Sequence, residues 1–255
     1  MCTMGSAVTA RRDAIIELIS GEGFVDISRL RSEFGCSEAT LRRDLEHLKQ
    51  AGQLRRTRGG AIANGAGELP FTLKLGEMAE AKRRIARVAA SLIQEGQAIG
   101  FTGGTTTLQV ARHLRTRSGL TVVTNALTIA MELARSKVRT VVTGGELRGK
   151  TYELVGPLSE PAASQIHLDL VFVGVDGFSV LGGLTTHNPM EARINRVLID
   201  RSSQVVVVTD HTKLGRKTFA QIAPMSIVDI LITDGEADKD AIAEVERSGI
   251  RVITA

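Results

Sequence analysis

Between Arg11 and Leu48 the apolar residues recur at helical spacing, as Ile15, Ile16, Leu18 and Ile19, then Ile27, Leu30 and Phe34, then Leu41, Leu45 and Leu48. Each set lines one side of a helix, so the pattern predicts three short helices. The second should stop at Phe34-Gly35-Cys36-Ser37, because glycine accepts the left-handed conformation that ends a helix and the Ser37 hydroxyl can cap the next first turn. On the third helix Leu41, Leu45 and Leu48 share a face, which leaves Thr40, Arg42, Arg43 and His47 toward the other side. After Gly52 the spacing shortens. "QLRRTRGGAI" reads as a β-hairpin that carries Arg55, Arg56 and Arg58 ahead of Gly59 and Gly60. Residues 63–70, "ANGAGELP", are small and turn-prone, as in a linker. Residues 79–93 form an amphipathic helical pattern, and beyond them short β-branched runs alternate with helical ones, as in an open α/β sheet. The expected fold is therefore α/β: a flexible tail (1–8), a winged helix-turn-helix domain (9–62), a linker (63–78) and a larger, mostly parallel α/β domain (79–255).

Five expected strands end alike. The runs at 99–104, 122–125, 141–145, 206–210 and 231–234 each close on threonine followed by Gly, Asn or Asp. In a parallel sheet the carboxyl ends share one edge, where ligands bind. The alternative source of this rhyme is that threonine favours strands while glycine and aspartate favour turns. The run Thr102, Gly103, Gly104, Thr105, Thr106, Thr107 has more hydroxyls and glycines than capping requires, and it opens a helix whose free amides attract anions. Asn125, Gly144, Gly145, Asp176, Glu191 and Lys213 complete the candidate binding set, as polar groups suited to a hydroxylated, phosphorylated ligand.

Charge changes the picture mainly through its placement. The formal net charge is only +4, but the arginines of the third helix and hairpin fall where a helix enters a major groove and a wing lies on phosphates. Ser37, Thr40, Arg42, Arg43, Arg55, Arg56 and Arg58 are the candidate DNA contacts. The bland alternative is a solvated helix face beside an incidental basic loop. No apolar run approaches the roughly 18 to 20 residues of a membrane span, and the first residues lack a secretion signal, so a cytoplasmic location with no membrane partner is expected. Cys2 and Cys36 read as free thiols. His113, His167, His187 and His211 lack metal-ligand spacing, and no nucleophile and base pair stands out, so no catalytic residue, metal or cofactor is assigned.

One motif argues otherwise. Residues 144–151, "GGELRGKT", satisfy the spacing of a nucleotide phosphate-binding loop. Such a loop must run into a long helix, and here Gly156 and Pro157 would end one after little more than a turn. The segment is better read as one wall of the ligand pocket.

The stretch "TLRRDLEHLKQAGQLRRTRGGA" resembles the winged helix-turn-helix of DeoR-family bacterial regulators, and "GGTTT", "TNAL", "TGGELRGKTYELVGP", "GLTTHNPMEA" and "DHTKLG" are similar to that family's effector domain. The resemblance spans nearly the whole chain. It implies a repressor, of carbohydrate metabolism genes in the usual case, that binds operator DNA with repeated half-sites as a dimer or tetramer and senses a phosphorylated sugar or related metabolite. Thr102 departs from the aspartate many members carry before the Gly-Thr-Thr loop. The effector domain also resembles ribose-5-phosphate isomerase, with Glu191 where a base would lie. The second aspartate and the lysine of the isomerase pattern are absent from "DGFS" and "VLGG", so binding without turnover is expected.

Overall fold

The computed structural model describes residues 4–57, 59–63 and 68–255, and the chain divides into two compact units, 1–76 and 77–255. The smaller unit runs α1 (Met4–Glu22), β1 (Phe24–Asp26), α2 (Ile27–Phe34), α3 (Glu38–Gln50), β2 (Leu54–Arg56), β3 (Gly60–Ala63) and α4 (Phe71–Gly76). Its core is the predicted apolar stripe: Ile15, Ile19, Leu30, Leu41, Leu45 and Leu48 are all buried. Gly35 is left-handed and caps α2, and the Ser37 hydroxyl accepts from the Thr40 amide at the start of α3. The hairpin pairs β2 with β3, and β1 joins β3 on its other side, a third strand that the helical spacing did not reveal.

Two segments hold more helix than the sequence pattern predicts. Residues 4–8, read as a flexible tail, are the first turns of α1, since no glycine or proline lies between Ser6 and Ser20 to stop the helix from propagating. The stretch 63–78, read as linker, contains α4, which starts directly after Pro70, whose carbonyl accepts from the amides of Leu73 and Lys74. Residues 64–67 of that stretch lie outside the described residues.

The larger unit runs α5 (Ala79–Ser91), β4 (Ala98–Phe101), α6 (Thr105–Arg112), β5 (Thr121–Thr124), α7 (Leu127–Leu133), β6 (Arg139–Val142), β7 (Glu146–Arg148), β8 (Glu153–Val155), α8 (Glu160–Ser164) and β9 (Leu170–Val173). It continues with β10 (Gly177–Ser179), β11 (Gly183–Thr186), α9 (Pro189–Asp200), β12 (Val205–Val208), β13 (Ala220–Ala223), β14 (Ile230–Thr233), α10 (Lys239–Arg247) and β15 (Arg251–Thr254). Seven strands form a parallel sheet in the order β15-β14-β12-β9-β4-β5-β6. The strands are short and nearly all apolar, as expected of a sheet covered on both faces. From β4 the chain winds outward through β5 and β6, and the later strands build on its other side, starting with β9. The order therefore reverses between β4 and β9, and that reversal opens a crevice at the carboxyl edge. Phe101 and Phe172, register partners on these two strands, stack at 5.2 Å beneath it. A second, antiparallel sheet, β10-β11-β13, and the separate β7–β8 hairpin complete the unit.

Candidate DNA-reading surface and effector pocket

In the smaller unit, α3 is oriented by a charged group on its buried face. Asp44 occupies the apolar stripe between Leu41 and Leu48, is 2% exposed, and accepts from Arg11 and Arg12 of α1, each at 2.8 Å. Burial pushes the Asp44 carboxyl up, but the two arginine hydrogen bonds outweigh that penalty and hold it below the ordinary aspartate range. This double bridge joins α1 to α3. It was not singled out from the sequence, although an aspartate interrupting an apolar stripe was the available signal.

The candidate DNA contacts then sort by what already holds them. Ser37 caps α3 and its hydroxyl pairs with that of Thr40 at 2.9 Å, so both serve the helix start. Arg42 is engaged by Glu38 one turn earlier, in an exposed pair. Arg56 reaches from the wing to Glu46 of α3 at 3.0 Å, and that bond, with a second from Lys49, holds the Glu46 carboxyl below its usual range. The pair braces the wing against the helix. Arg43 and Arg55 are exposed and have no acidic partner among the described residues. Arg58 lies outside the described residues.

In the larger unit the carboxyl edge between β4 and β9 gathers most of the candidate set. Thr102 is fully buried, and its hydroxyl accepts from the Gly174 amide at 3.0 Å, stitching the two strand ends together. Gly103 and Gly104 then lead into α6, and no side chain caps that helix. The Thr107 hydroxyl donates back to the Gly104 carbonyl. Thr105 and Thr106 are nearly buried, and their hydroxyls have no partner among the described residues. Two hydroxyls of the run are thus used internally and two are left over.

Glycine at 103 is required by its neighbour. A side-chain carbon there would lie 2.0 Å from the Glu153 carboxyl carbon, so the Glu153 side chain is seated directly on this loop. Asn125, at the end of β5, donates to Glu153 at 3.1 Å, while its own side-chain oxygen is buried without a partner. Gly145 has φ +117, and a side chain there would meet the Val155 carbonyl at 2.6 Å, which brings the end of β6 against β8. Gly144, also at positive φ, shares the turn.

Glu191, in the first turn of α9, is 2% exposed. One of its oxygens accepts from Arg148 at 2.8 Å and from the Thr151 hydroxyl at 2.5 Å, and the other faces the Thr186 hydroxyl at 3.2 Å. Thr186 also lies 3.1 Å from Asp176, so the two carboxylates meet at one hydroxyl. Lys213 stands in the short 3-10 turn that follows β12 at the same sheet edge, and buried Asp210 caps that turn. The sequence reading therefore named Asn125, Asp176 and Glu191 of this network and missed Arg148, Thr151, Glu153 and Thr186 as members.

The nucleotide-loop motif dissolves in this geometry. Residues 146–155 are the β7–β8 hairpin, with Tyr152 left-handed at its turn, and the next helix, α8, starts only at Glu160, too far on to present amides to phosphates at this loop. Lys150 is exposed, and Thr151 serves Glu191. His211 has a structural partner: its ring and its amide both bond to buried Asp234, at 2.8 and 2.7 Å. Burial pushes the Asp234 carboxyl up, and the His211 bonds more than reverse this, leaving it below the usual range. Glu236 brings a third ligand atom within 4.8 Å of these two. The His211–Asp234 bonds brace the strand ends that follow β12 and β14.

Comparison with known proteins gives the same division of the chain. Residues 8–66 match the DeoR-like helix-turn-helix domain and residues 77–235 the DeoR C terminal sensor domain. The chain is 37% identical over 245 residues to the HTH-type transcriptional regulator GlpR of Haloferax volcanii, covering 95% of this chain and 96% of that protein. It is 34% identical to the glycerol-3-phosphate regulon repressor of Escherichia coli, over 89% and 90% of the two chains. Among solved structures, the full-length sorbitol operon regulator SorC from Klebsiella pneumoniae aligns over 93% of this chain and 98% of its own, with a TM-score of 0.43 and 12% identity. Ribose 5-phosphate isomerase A from Methanocaldococcus jannaschii aligns over 53% and 54%, with a TM-score of 0.41 and 16% identity.

Proposed function

The chain belongs to the DeoR family of transcriptional regulators, and from that premise we propose that it represses carbohydrate-metabolism genes under the control of a phosphorylated polyol or sugar bound between β4 and β9. As in its relatives, which are named regulators and repressors, its role is to bind DNA, not to catalyse. The observation that carries the ligand assignment is the set of polar groups the protein itself leaves unanswered at the strand reversal. These are the buried, orphaned side-chain oxygen of Asn125, the uncapped start of α6, and the Thr105 and Thr106 hydroxyls beside it, which have no partner among the described residues. A buried polar atom without a partner, as the Asn125 oxygen is, is costly, and a bound ligand is one way of satisfying it. The uncapped amides and adjacent hydroxyls suit a phosphate. Asn125 and the carboxylates of Asp176, Glu191 and Glu153 are acceptors, which suits hydroxyl groups.

On DNA, α3 enters a major groove with Thr40, Arg42 and Arg43 on the outward face, while Arg55, Arg56 and Arg58 place the wing on phosphates. One such domain reads few base pairs, so two or more copies of the chain act together on repeated half-sites, in the cytoplasm. The ligand acts by binding the DNA-competent and DNA-incompetent states unequally. The test is fluorescence anisotropy with DNA from upstream of the protein's own gene, titrated with sugar phosphates and the corresponding free sugars. A phosphorylated ligand should change operator affinity and its unphosphorylated counterpart should not. Turnover of any ligand in the panel would instead favour an isomerase.

A further inference from the structure

The β7–β8 hairpin carries a guanidinium that the proposed pocket needs. Glu191 and Asp176 meet at Thr186, and Glu153 lies two residues along the chain from Thr151, so carboxylates crowd this part of the crevice. Such a site offers acceptors to the hydroxyls of a ligand and repels its phosphate unless a cation is present to receive it. Arg148 is that cation. It sits at the end of β7 with 21% of its side chain exposed, against 3% for Glu191, and one of its bonds runs from Nη1 to Glu191. A guanidinium has five donors in a planar fork that matches a phosphate, and it keeps its charge at any pH the protein meets.

We infer that Arg148 joins the start of α6 in binding the anionic group of the ligand, with Glu191 among the groups that hold it ready until the ligand arrives. This rests on the reading of the crevice as a phosphorylated-ligand pocket. On entry a ligand hydroxyl donates to Glu191 in place of Arg148, and the ligand phosphate accepts from Arg148, so the exchange leaves neither buried charge without a partner. The hairpin is built to register it. The inner strand β8 is tied down by backbone bonds, with the Leu154 amide donating to the Asn125 carbonyl at 2.7 Å and the Leu127 amide to the Tyr152 carbonyl at 3.0 Å. The outer strand β7 pairs with β8 alone among the described strands. A change of partner at Arg148 therefore bears on β7 and its turn while β8 stays in place.

Calorimetric titration of the full-length protein with inorganic phosphate, glycerol 3-phosphate and ribose 5-phosphate tests the assignment. Arg148→Ala should weaken binding of whichever phosphorylated probe the wild type takes by about tenfold or more, as expected for loss of a charge-assisted hydrogen bond. Arg148→Lys should recover part of the loss. Glu191→Gln removes the competing charge, so it should tighten inorganic phosphate several-fold, and Lys150→Ala should change nothing. A merely structural ion pair would lower thermal stability in both partners without these opposite signs in phosphate affinity. Wild-type affinity in Arg148→Ala, or weaker phosphate binding in Glu191→Gln, would overturn the inference. If Arg148→Ala fails to fold, the signs for Arg148→Lys and Glu191→Gln decide. A wild type that binds no phosphate overturns the pocket reading and this inference together, whereas a wild type that binds while both variants match it overturns the inference alone.

Discussion

The two units of this chain use buried aspartate and glutamate in opposite ways. In the DNA-reading unit, Asp44 is buried under two arginines of α1, and every partner of that carboxylate is part of the scaffold. In the sensor unit, Glu191 and Glu153 are buried at the mouth of a crevice, among hydroxyls and an amide that still have bonding capacity. The first arrangement fixes a surface that must present the same face at every operator. The second keeps polar groups where a small molecule can compete for them. Burial of charge thus serves the scaffold in one unit and, on the function proposed above, ligand binding in the other.

The largest effect that separates the units should come from Gly145. With φ +117 and the Val155 carbonyl 2.6 Å from any added carbon, Gly145→Ala combines backbone strain with a backbone clash, at a cost of about 3 kcal/mol or more. Thermal unfolding should show the sensor unit melting earlier while operator affinity of the native protein is retained. Equal loss in both units would show that they do not act as separate bodies.

Next comes Asp44. Asp44→Ala strands two partly exposed arginines and should cost about 1–3 kcal/mol, read from denaturant unfolding of the DNA-reading unit. Its pH dependence has a definite sign. Because the folded pKa is depressed, the bridge contributes fully above the ordinary aspartate value of 3.8 and is lost as pH falls from there toward the folded value. Wild-type stability should therefore drop over that acid range by more than that of Asp44→Asn, and parallel curves would remove the bridge from the account. Asp234 has the same sign in the sensor unit through His211.

The smallest effects are electrostatic. Arg43→Ala should reduce the slope of log affinity against log salt by about one unit, as for one lost phosphate contact, whereas Glu46→Gln releases Arg56 from its brace and should steepen that slope by less than one unit. Opposite signs in these two variants would sharpen the distinction between arginines that read DNA and arginines that hold the wing.

How much of this was legible in the sequence follows the same division. The DNA-reading unit is local: the leucine spacing of α3, the Gly35 stop and the Ser37 cap lie within a few turns of one another, so periodicity located them. Asp44 escaped because its partners lie on α1, more than thirty residues back, and Glu46 because its partner lies on the wing, outside the helical repeat of α3. In the sensor unit the threonine-ended strands located the edge of the sheet, since that rhyme recurs on five of the seven parallel strands. Glu153 and Thr186 escaped because one sits in a three-residue hairpin strand and the other in an antiparallel sheet outside the main repeat, so no pattern in their own neighbourhood announces that they converge. The phosphate-loop motif shows the converse: a short spacing satisfied at 144–151, with none of the helix that gives the motif its chemistry.

The central claim is that unanswered polar groups at the β4–β9 reversal receive a phosphorylated ligand that changes DNA binding. The most direct test is operator anisotropy for the wild type and for a Thr105→Val, Thr106→Val double variant, each titrated with the phosphorylated ligand to which the wild type responds. The account predicts equal operator affinity in the absence of ligand and a response lost, or moved to much higher ligand concentration, in the double variant. An unchanged ligand response in that variant would contradict it.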